Sequence, residues 1–147
     1  MCIRDRPKSV YVVPNSEVLR LILKWSPKVA AILALLVKHV ILQDEKVIIW
    51  FTYRTTLDLF REIMLELPYF SDFKAGRWDT LVADTSHEKR HKLQEALNDP
   101  AHPLKVALIS NKVGAIGLNF QKGCSKQIHA DTAETYDNEL QGIGRLF

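Results

Sequence analysis

A chain of 147 residues, of which 47% are apolar and 25% are charged, can bury one hydrophobic core but is too short for two domains of ordinary size. Its formal net charge of +3 suits contact with phosphate groups, but it also fits many proteins that never meet nucleic acid. The two cysteines, Cys2 and Cys124, lie far apart and make no metal-ligand pattern with the five histidines. This spacing argues against a disulfide scaffold and a metal site, and it favours a reducing, intracellular compartment.

The N-terminal stretch and the apolar runs bear on targeting. The longest apolar run, residues 29–37, is far shorter than the roughly 18 residues of a bilayer-spanning helix, so we expect a buried helix and no membrane partner. The opening MCIRDR has no long apolar region behind it, which predicts no signal peptide. Because residues 1–6 join no periodic pattern, we expect them to be foreign to the native protein.

The first predicted elements are a helix and a strand. Ser26 is a helix-capping residue, Pro27 suits the first turn, and apolar residues then cover most of the helix. After a polar turn, residues 46–52 are β-branched and aromatic without alternation. That pattern is typical of a strand covered on both faces, as in a parallel sheet.

A second helix, strand and helix follow. Residues 55–67 carry apolar side chains at three-to-four spacing, which predicts an amphipathic helix capped by one of its first two residues, both threonines. Residues 78–84 are a predicted strand, and Thr85 with Glu88 matches a capping box that begins the next helix. On that helix we expect the basic run 89–92 to be a solvated face.

The remaining elements repeat this alternation. Residues 105–110 form an apolar strand, a glycine-bearing loop follows, residues 127–130 are a shorter strand, and residues 135–147 are a last helix. Alternating strands and helices imply the α/β class, with a parallel sheet, right-handed crossovers and helices on both faces.

The first candidate functional junction is residues 51–56, where a strand runs into a helix. Functional loops of an open α/β sheet cluster at the carboxyl ends of its strands. Hydroxyls and free backbone amides at such a junction can hold a phosphate. Threonines before a helix are, however, more commonly plain caps.

The second candidate junction lies within residues 106–120. Ser110 and Lys112 supply a hydroxyl and a positive charge for a phosphate, while Gly114 and Gly117 allow the backbone to approach a ligand closely. A glycine loop that makes only a tight connection is the structural alternative.

The third candidate junction is the C-terminal QGIGRLF. Gln141 and Arg145 are four residues apart and therefore share one face of a helix. An arginine presented in this way stabilises charge on a transferring phosphoryl group. A surface arginine is the structural alternative.

In this order, the stretches resemble the C-terminal helicase domain of Swi/Snf-like ATPases of helicase superfamily two. The family patterns STxAGGxGLNL and QAxGRxxRxGQ are matched by SNKVGAIGLNF and QGIGR, and Asp131 stands ten residues before Gln141. The resemblance implies an α/β RecA-like lobe of the P-loop-NTPase type, a parallel sheet flanked by helices on both faces. It covers residues 26–147, with residues 1–25 as an N-terminal extension.

The resemblance also implies two sets of contacts. The nucleotide would meet Gly114, Gly117, Gln141 and Arg145, with Gln141 and Arg145 as the catalytic pair. The DNA phosphate backbone would meet Thr52, Tyr53, Arg54, Thr55, Ser110, Asn111 and Lys112. The function implied is the second motor lobe of a nuclear, ATP-dependent DNA translocase or chromatin remodeller. Its partners would be double-stranded DNA or a nucleosome and an N-terminal RecA-like lobe, and its cofactors ATP and Mg²⁺.

Some family features are replaced or absent. Asn111 stands where a threonine is usual, and Ala115 replaces a glycine. The phosphate loop GxxxxGK[ST] and the metal-binding acidic motif, which the family carries on its first lobe, do not occur in the 147 residues. We therefore expect no ATP hydrolysis and no tight cofactor binding by these residues alone, and we expect the last motif to be cut at Phe147. Rival interpretations are a degenerate, non-catalytic RecA-like module that binds DNA or a protein, and an unrelated flavodoxin-like domain.

Overall fold

The computed structural model of the chain describes residues 16–67, 77–114, 118–120, 122–124 and 126–131. Within these ranges the helices are α1 (Glu17–Trp25), α2 (Pro27–Leu36), α3 (Arg54–Glu66), α4 (His87–Asn98) and the short α5 (Asn111–Gly114), and a π-helical segment (Val37–Leu42) continues α2. The strands are β1 (Val47–Phe51), β2 (Trp78–Leu81), β3 (Val106–Ser110) and β4 (Lys126–His129).

The four strands form one sheet in the order β2-β3-β1-β4. All three neighbouring pairs run parallel, as the alternation of strands and helices predicted. Val47 at the start of β1 is level with Val106 of β3 and with Lys126 of β4. The amino ends of the strands therefore lie along one edge of the sheet and their carboxyl ends along the other.

β1 is buried along its whole length. Val47, Ile49 and Phe51 point into one hydrophobic cluster, which α1, α2 and α3 complete. Ile48 and Trp50 point into a second cluster on the opposite face, which α4 and the segment after β3 complete. This alternation confirms that helices cover both faces of the sheet and explains why the sequence of β1 has no polar positions.

Serine side chains begin the first two helices. Ser26 accepts a hydrogen bond from the Val29 amide at 3.4 Å, which confirms the predicted cap of α2. Helix α1 was not predicted. Its cap, Ser16, accepts from the Leu19 amide at 3.2 Å, and Leu19 itself is buried in the core. Residues 17–25 therefore contribute to the packed fold.

The predicted capping box before α4 is wrong. Ser86, and not Thr85, caps the helix by accepting from the Lys89 amide at 3.3 Å. The Thr85 hydroxyl instead accepts from the Val82 amide at 3.0 Å and closes the turn after β2. Two hydroxyl residues stand side by side here, and the turn uses the first of them.

The threonine cap predicted for α3 is also wrong. The helix begins at Arg54, so Thr55 and Thr56 lie inside its first turn. The N-cap residue is Tyr53, which makes no side-chain capping bond. The first backbone amides of α3 are therefore not satisfied by a side chain of the cap residue.

The basic run on α4 is only partly solvated, contrary to the expectation. Arg90 is 9% exposed, while Lys89, His91 and Lys92 are exposed. The Arg90 guanidinium turns inward and donates from Nη2 to the carbonyl oxygen of Ala83 at 2.5 Å. This arginine consequently holds the turn after β2 against α4.

The amino edge of the sheet is held by a buried lysine. Lys46 donates from Nζ to the carbonyl oxygens of Ala96, at 2.6 Å, and of Asp99, at the end of α4. Burial, and then the charge of Lys105, lower the pKa of Lys46. Burial raises the pKa of the Cys124 thiol to about 11, so this thiol stays protonated at neutral pH.

No single helix in the described residues is long and apolar enough to cross a membrane. The pair formed by Glu17–Trp25 and Pro27–Leu42 meets those requirements of length and composition jointly, with a bend of 104° between its members. Both members bury residues in the core, among them Leu19 and Leu36.

Gly123 provides a test of how closely the chain passes α4. A Cβ at Gly123 would lie 2.2 Å from the carbonyl oxygen of Leu97 and 2.8 Å from backbone atoms of Asn98. Because backbone atoms cannot rotate away, we expect Gly123→Ala to lower the free energy of unfolding by about 1–3 kcal/mol in urea denaturation. The exposed neighbour supplies the control, since Lys122→Ala should change stability far less; equal effects would contradict the steric explanation.

Candidate functional site

The first two candidate junctions meet at the carboxyl edge of the sheet. β1 and β3 are neighbours, and their last residues, Phe51 and Ser110, are level with each other. The segments that follow them, residues 52–55 and 111–112, therefore lie side by side. Two stretches that are more than fifty residues apart in sequence thus form one surface.

A hydrogen bond joins the two segments. Nδ2 of Asn111 donates to Oγ1 of Thr52 at 2.9 Å. Thr52 is only 5% exposed and Ser110 only 7%. These two hydroxyl residues belong to the floor of the surface, and a ligand arriving from solvent would first meet other residues.

The exposed members of the predicted DNA set stand around that floor. Tyr53 is 57% exposed, and Arg54, Thr55 and Lys112 are also exposed. Arg54 and Lys112 bring a positive charge from each of the two segments, and the first turn of α3 brings backbone amides without a side-chain cap. Cationic side chains and helix-terminal amides together are able to hold phosphate oxygens.

Arg54 already has acidic neighbours. Its Nε lies 3.1 and 3.2 Å from the two carboxylate oxygens of Asp58, one turn along α3. Its Nη1 lies 3.5 Å from Oδ2 of Asp84, which belongs to the turn after β2. All three side chains are substantially exposed, so water and salt screen these pairs.

The carboxyl end of β4 carries contacts that the sequence did not indicate. The Ala130 amide donates to the carbonyl oxygen of Trp50 at 2.9 Å, and the rings of Trp50 and His129 stack with centroids 6.4 Å apart. Oδ1 of Asp131 accepts from Nζ of Lys28 at 2.9 Å, while its buried Oδ2 has no hydrogen-bond partner among the described residues. Lys28 and Asp131 are 103 positions apart, and no local pattern predicts such a pair.

The predicted nucleotide set is described only at Gly114, the last residue of α5. Gly117, Gln141 and Arg145 lie outside the described residues, so their contacts with ATP stay predictions. Across the part of the chain that is described, no group of three or more His, Cys, Asp or Glu residues gathers around a common point as metal ligands would.

A cavity of about 530 Å³ lies beside the end of α4. Its lining residues are Gln94, Glu95, Asn98, Asp99, Asn119 and Lys122. Asn98 builds its wall by donating to the Asn119 carbonyl oxygen at 2.8 Å and accepting from the Lys122 amide at 3.1 Å. Each of these bonds also ties the segment after β3 to α4.

The bond between Asn111 and Thr52 is open to a double-mutant cycle. A partly buried neutral hydrogen bond contributes about 0.5–1.5 kcal/mol. We expect Asn111→Ala and Thr52→Val to be coupled by that amount in urea denaturation, because each removes the same bond. Thr52→Ser keeps the hydroxyl and should preserve most of the effect of Asn111→Ala. Additive effects of Asn111→Ala and Thr52→Val would show that the bond does not join the two segments in solution.

Comparisons with known proteins agree with this architecture. Residues 27–147 match the family model described as helicase conserved C-terminal domain. Over 117 residues the chain is 36% identical to the DNA repair and recombination protein RAD54 of Oryza sativa subsp. japonica. This match covers 79% of the chain and 11% of the rice protein. Over 137 residues the chain is 29% identical to the protein of the same description from Saccharomyces cerevisiae, and this match covers 93% of the chain and 14% of the yeast protein. The chain thus spans less than a sixth of either relative.

The fold has a counterpart among solved structures. It superposes on the crystal structure of the C-terminal part of the Fun30 ATPase domain with a TM-score of 0.68 and 20% sequence identity. The superposition covers 83% of this chain and 36% of the Fun30 chain. At this identity the likeness concerns the fold alone. It confirms the predicted α/β lobe with a parallel sheet between helices.

Proposed function

Because the chain belongs to the helicase conserved C-terminal domain family, as a RecA-like lobe of the Swi/Snf-like kind, we propose that it is the second motor lobe of an ATP-dependent DNA translocase. In this role it holds the phosphate backbone of double-stranded DNA at the carboxyl edge of its sheet. It also supplies the arginine-bearing half of an ATP site shared with an N-terminal RecA-like lobe.

One observation carries the DNA half of the proposal, namely that the ends of β1 and β3 are level and joined by a hydrogen bond. This arrangement supports a single phosphate-binding surface made of Tyr53, Arg54, Thr55 and Lys112 above the Thr52–Asn111 bond. The groups on offer are hydroxyls, amides and cations, which bind phosphates and carry no base-reading information. A motor that moves along any sequence needs contacts of this kind.

The names of the relatives favour DNA as the ligand. Both are described as DNA repair and recombination proteins, which supports double-stranded DNA as a partner and the nucleus as the compartment. Within that proposal, a nucleosome is a further substrate that the same backbone contacts suit, because they are independent of sequence.

The ATP half rests on family membership. Of the predicted nucleotide residues the described part contains only Gly114, so no chemical step is assigned to a described side chain. When bound between two lobes, ATP with Mg²⁺ supplies the free energy of translocation. The proposed share of this chain is Gln141 and Arg145, which face the phosphates, with Gly114 and Gly117 close to the nucleotide.

Lys112 tests the DNA half. We expect Lys112→Gln to weaken binding of fluorescein-labelled duplex DNA to a similar extent for unrelated sequences, and to reduce the slope of log K against log salt by about 1, because one phosphate contact is lost. Fluorescence anisotropy over a range of salt concentrations measures both quantities.

The matched control for Lys112 is Lys122→Gln. Lys122 is equally an exposed lysine, but it lies beside the end of α4 and not on the proposed surface. The Lys122→Gln substitution lowers the net charge of the protein by the same amount as Lys112→Gln. If both variants weaken binding equally, the loss reflects net charge, and the carboxyl edge is not the DNA surface.

The ATP half is tested in two steps. We expect the 147 residues alone to show no DNA-stimulated ATP hydrolysis, because their sequence contains no phosphate loop. In a longer natural protein that includes the first lobe, Arg145→Ala should lower the DNA-stimulated rate by about a thousandfold or more and leave DNA affinity nearly unchanged, because the arginine stabilises only the transferring phosphate. Hydrolysis by the short chain, or full activity of the variant, would contradict the proposed division of roles. A longer protein with DNA binding but no hydrolysis would support the non-catalytic alternative.

A further inference from the structure

The guanidinium of Arg54 is held by two carboxylates at the proposed DNA surface. Nε of Arg54 donates to the two carboxylate oxygens of Asp58 at 3.1 and 3.2 Å, and Nη1 lies 3.5 Å from Oδ2 of Asp84. The Arg54 side chain is 51% exposed, so a phosphate oxygen is able to reach it from solvent. A phosphate that binds Arg54 through Nε or Nη1 therefore competes with the two acids for those donors.

Asp84 is presented by a well-fastened turn. The Thr85 amide donates to the carbonyl oxygen of Val82 at 3.0 Å, and the Val82 amide donates back to the Thr85 hydroxyl at 3.0 Å. From the other side, Arg90 donates to the Ala83 carbonyl oxygen. The backbone that carries Asp84 is thus tied on both sides, which lowers the entropic cost of placing its carboxylate beside Arg54.

The charges of this group oppose DNA. Two carboxylates and one guanidinium leave one uncompensated negative charge at neutral pH. Lys112 of the neighbouring segment is the only other charge among the proposed DNA residues, so the acids cancel much of the attraction that the surface offers to phosphates. This balance of charge predicts weaker DNA binding while Arg54 stays paired with both acids.

We propose that Asp58 and Asp84 form a carboxylate clamp on Arg54, which competes with DNA phosphates and holds the affinity of this lobe for DNA low. The inference rests on the proposed function and adds a regulatory element to the same surface. A weak resting contact suits a lobe that must repeatedly release and regain the backbone. The opposite arrangement, in which the acids orient Arg54 for phosphate, predicts the opposite sign in the experiment below.

The test is a double-mutant cycle on the 147-residue chain. Its affinity for a fluorescein-labelled duplex DNA is measured by fluorescence anisotropy. Asp84→Asn and Asp58→Asn should each tighten binding by about two- to fivefold, since exposed ion pairs are weak. Each should also steepen the dependence on salt, because the released Arg54 displaces a counterion from DNA. In an Arg54→Gln background each acid substitution should keep only the effect of removing one negative charge, as measured by the Glu62→Gln control below, because the clamp has no guanidinium left to hold.

Glu62→Gln is the matched control. Glu62 is exposed on α3, two turns beyond Arg54 and about 12 Å further along the helix axis. The Glu62→Gln substitution removes one negative charge, as Asp84→Asn does, but leaves the clamp intact. It should change the affinity for DNA much less than Asp84→Asn. Thermal unfolding of every variant checks that the fold is retained.

The outcomes separate the two proposals. If Arg54→Gln weakens DNA binding but the acid substitutions weaken it, leave it unchanged, or act equally without Arg54, the clamp is overturned and the DNA surface stands. If Arg54→Gln leaves binding unchanged, Arg54 is not a DNA contact and both the clamp and that part of the proposed function are overturned.

Discussion

The parallel pairing of β1 with β3 is the contact on which the rest of the molecule depends. It places two strands whose residues are all buried at the centre of the sheet, which has helices on both faces. The same pairing makes the strands end level with each other, so that Thr52 meets Asn111. A register shift of one residue would turn every side chain of β1 to the other face and would also separate the two segments that carry the proposed phosphate contacts.

The two edges of this sheet differ in kind. At the amino edge a buried ammonium ties β1 to the last carbonyl groups of α4, and Gly123 passes so close to that helix end that a side chain does not fit. At the carboxyl edge the charged groups are exposed and form pairs that water screens. The buried contacts thus lie at the amino edge, and the exposed charged groups lie at the carboxyl edge, where DNA binding is proposed.

The sequence was a good guide wherever one local pattern governs an element. The β-branched run of β1, the three-to-four spacing of α3 and the cap at Ser26 each specify their structure locally, and the structure agrees in all three cases. Helix α1, which has nine residues, was not predicted, and the cap of α4 was misassigned because Thr85 and Ser86 stand side by side and either can cap a helix. The burial of Arg90 depends on a carbonyl group in the preceding turn, which a charge pattern cannot reveal.

The candidate site divides in the same way. That the segments after β1 and β3 meet follows from the rule that parallel strands present their carboxyl ends together. Two other features depend on strand order, which is a property of the whole chain. They are the choice of residues that form the floor and the contact between Arg54, which follows β1, and Asp84, which follows β2 on the far side of β3. The pair of Lys28 with Asp131 is of the same kind.

The stacked pair of Trp50 and His129 has an optical consequence. Trp50 is fully buried directly beneath the carboxyl edge, and its indole nitrogen donates to Oε1 of Gln127 at 3.0 Å, whereas Trp25 is 76% exposed. Emission from Trp50 should therefore be blue-shifted relative to that of Trp25 and sensitive to the ring of His129. The protein thus carries an intrinsic fluorophore under the surface proposed to bind DNA, and a variant with both Trp25→Phe and Trp78→Phe would leave Trp50 as the one tryptophan.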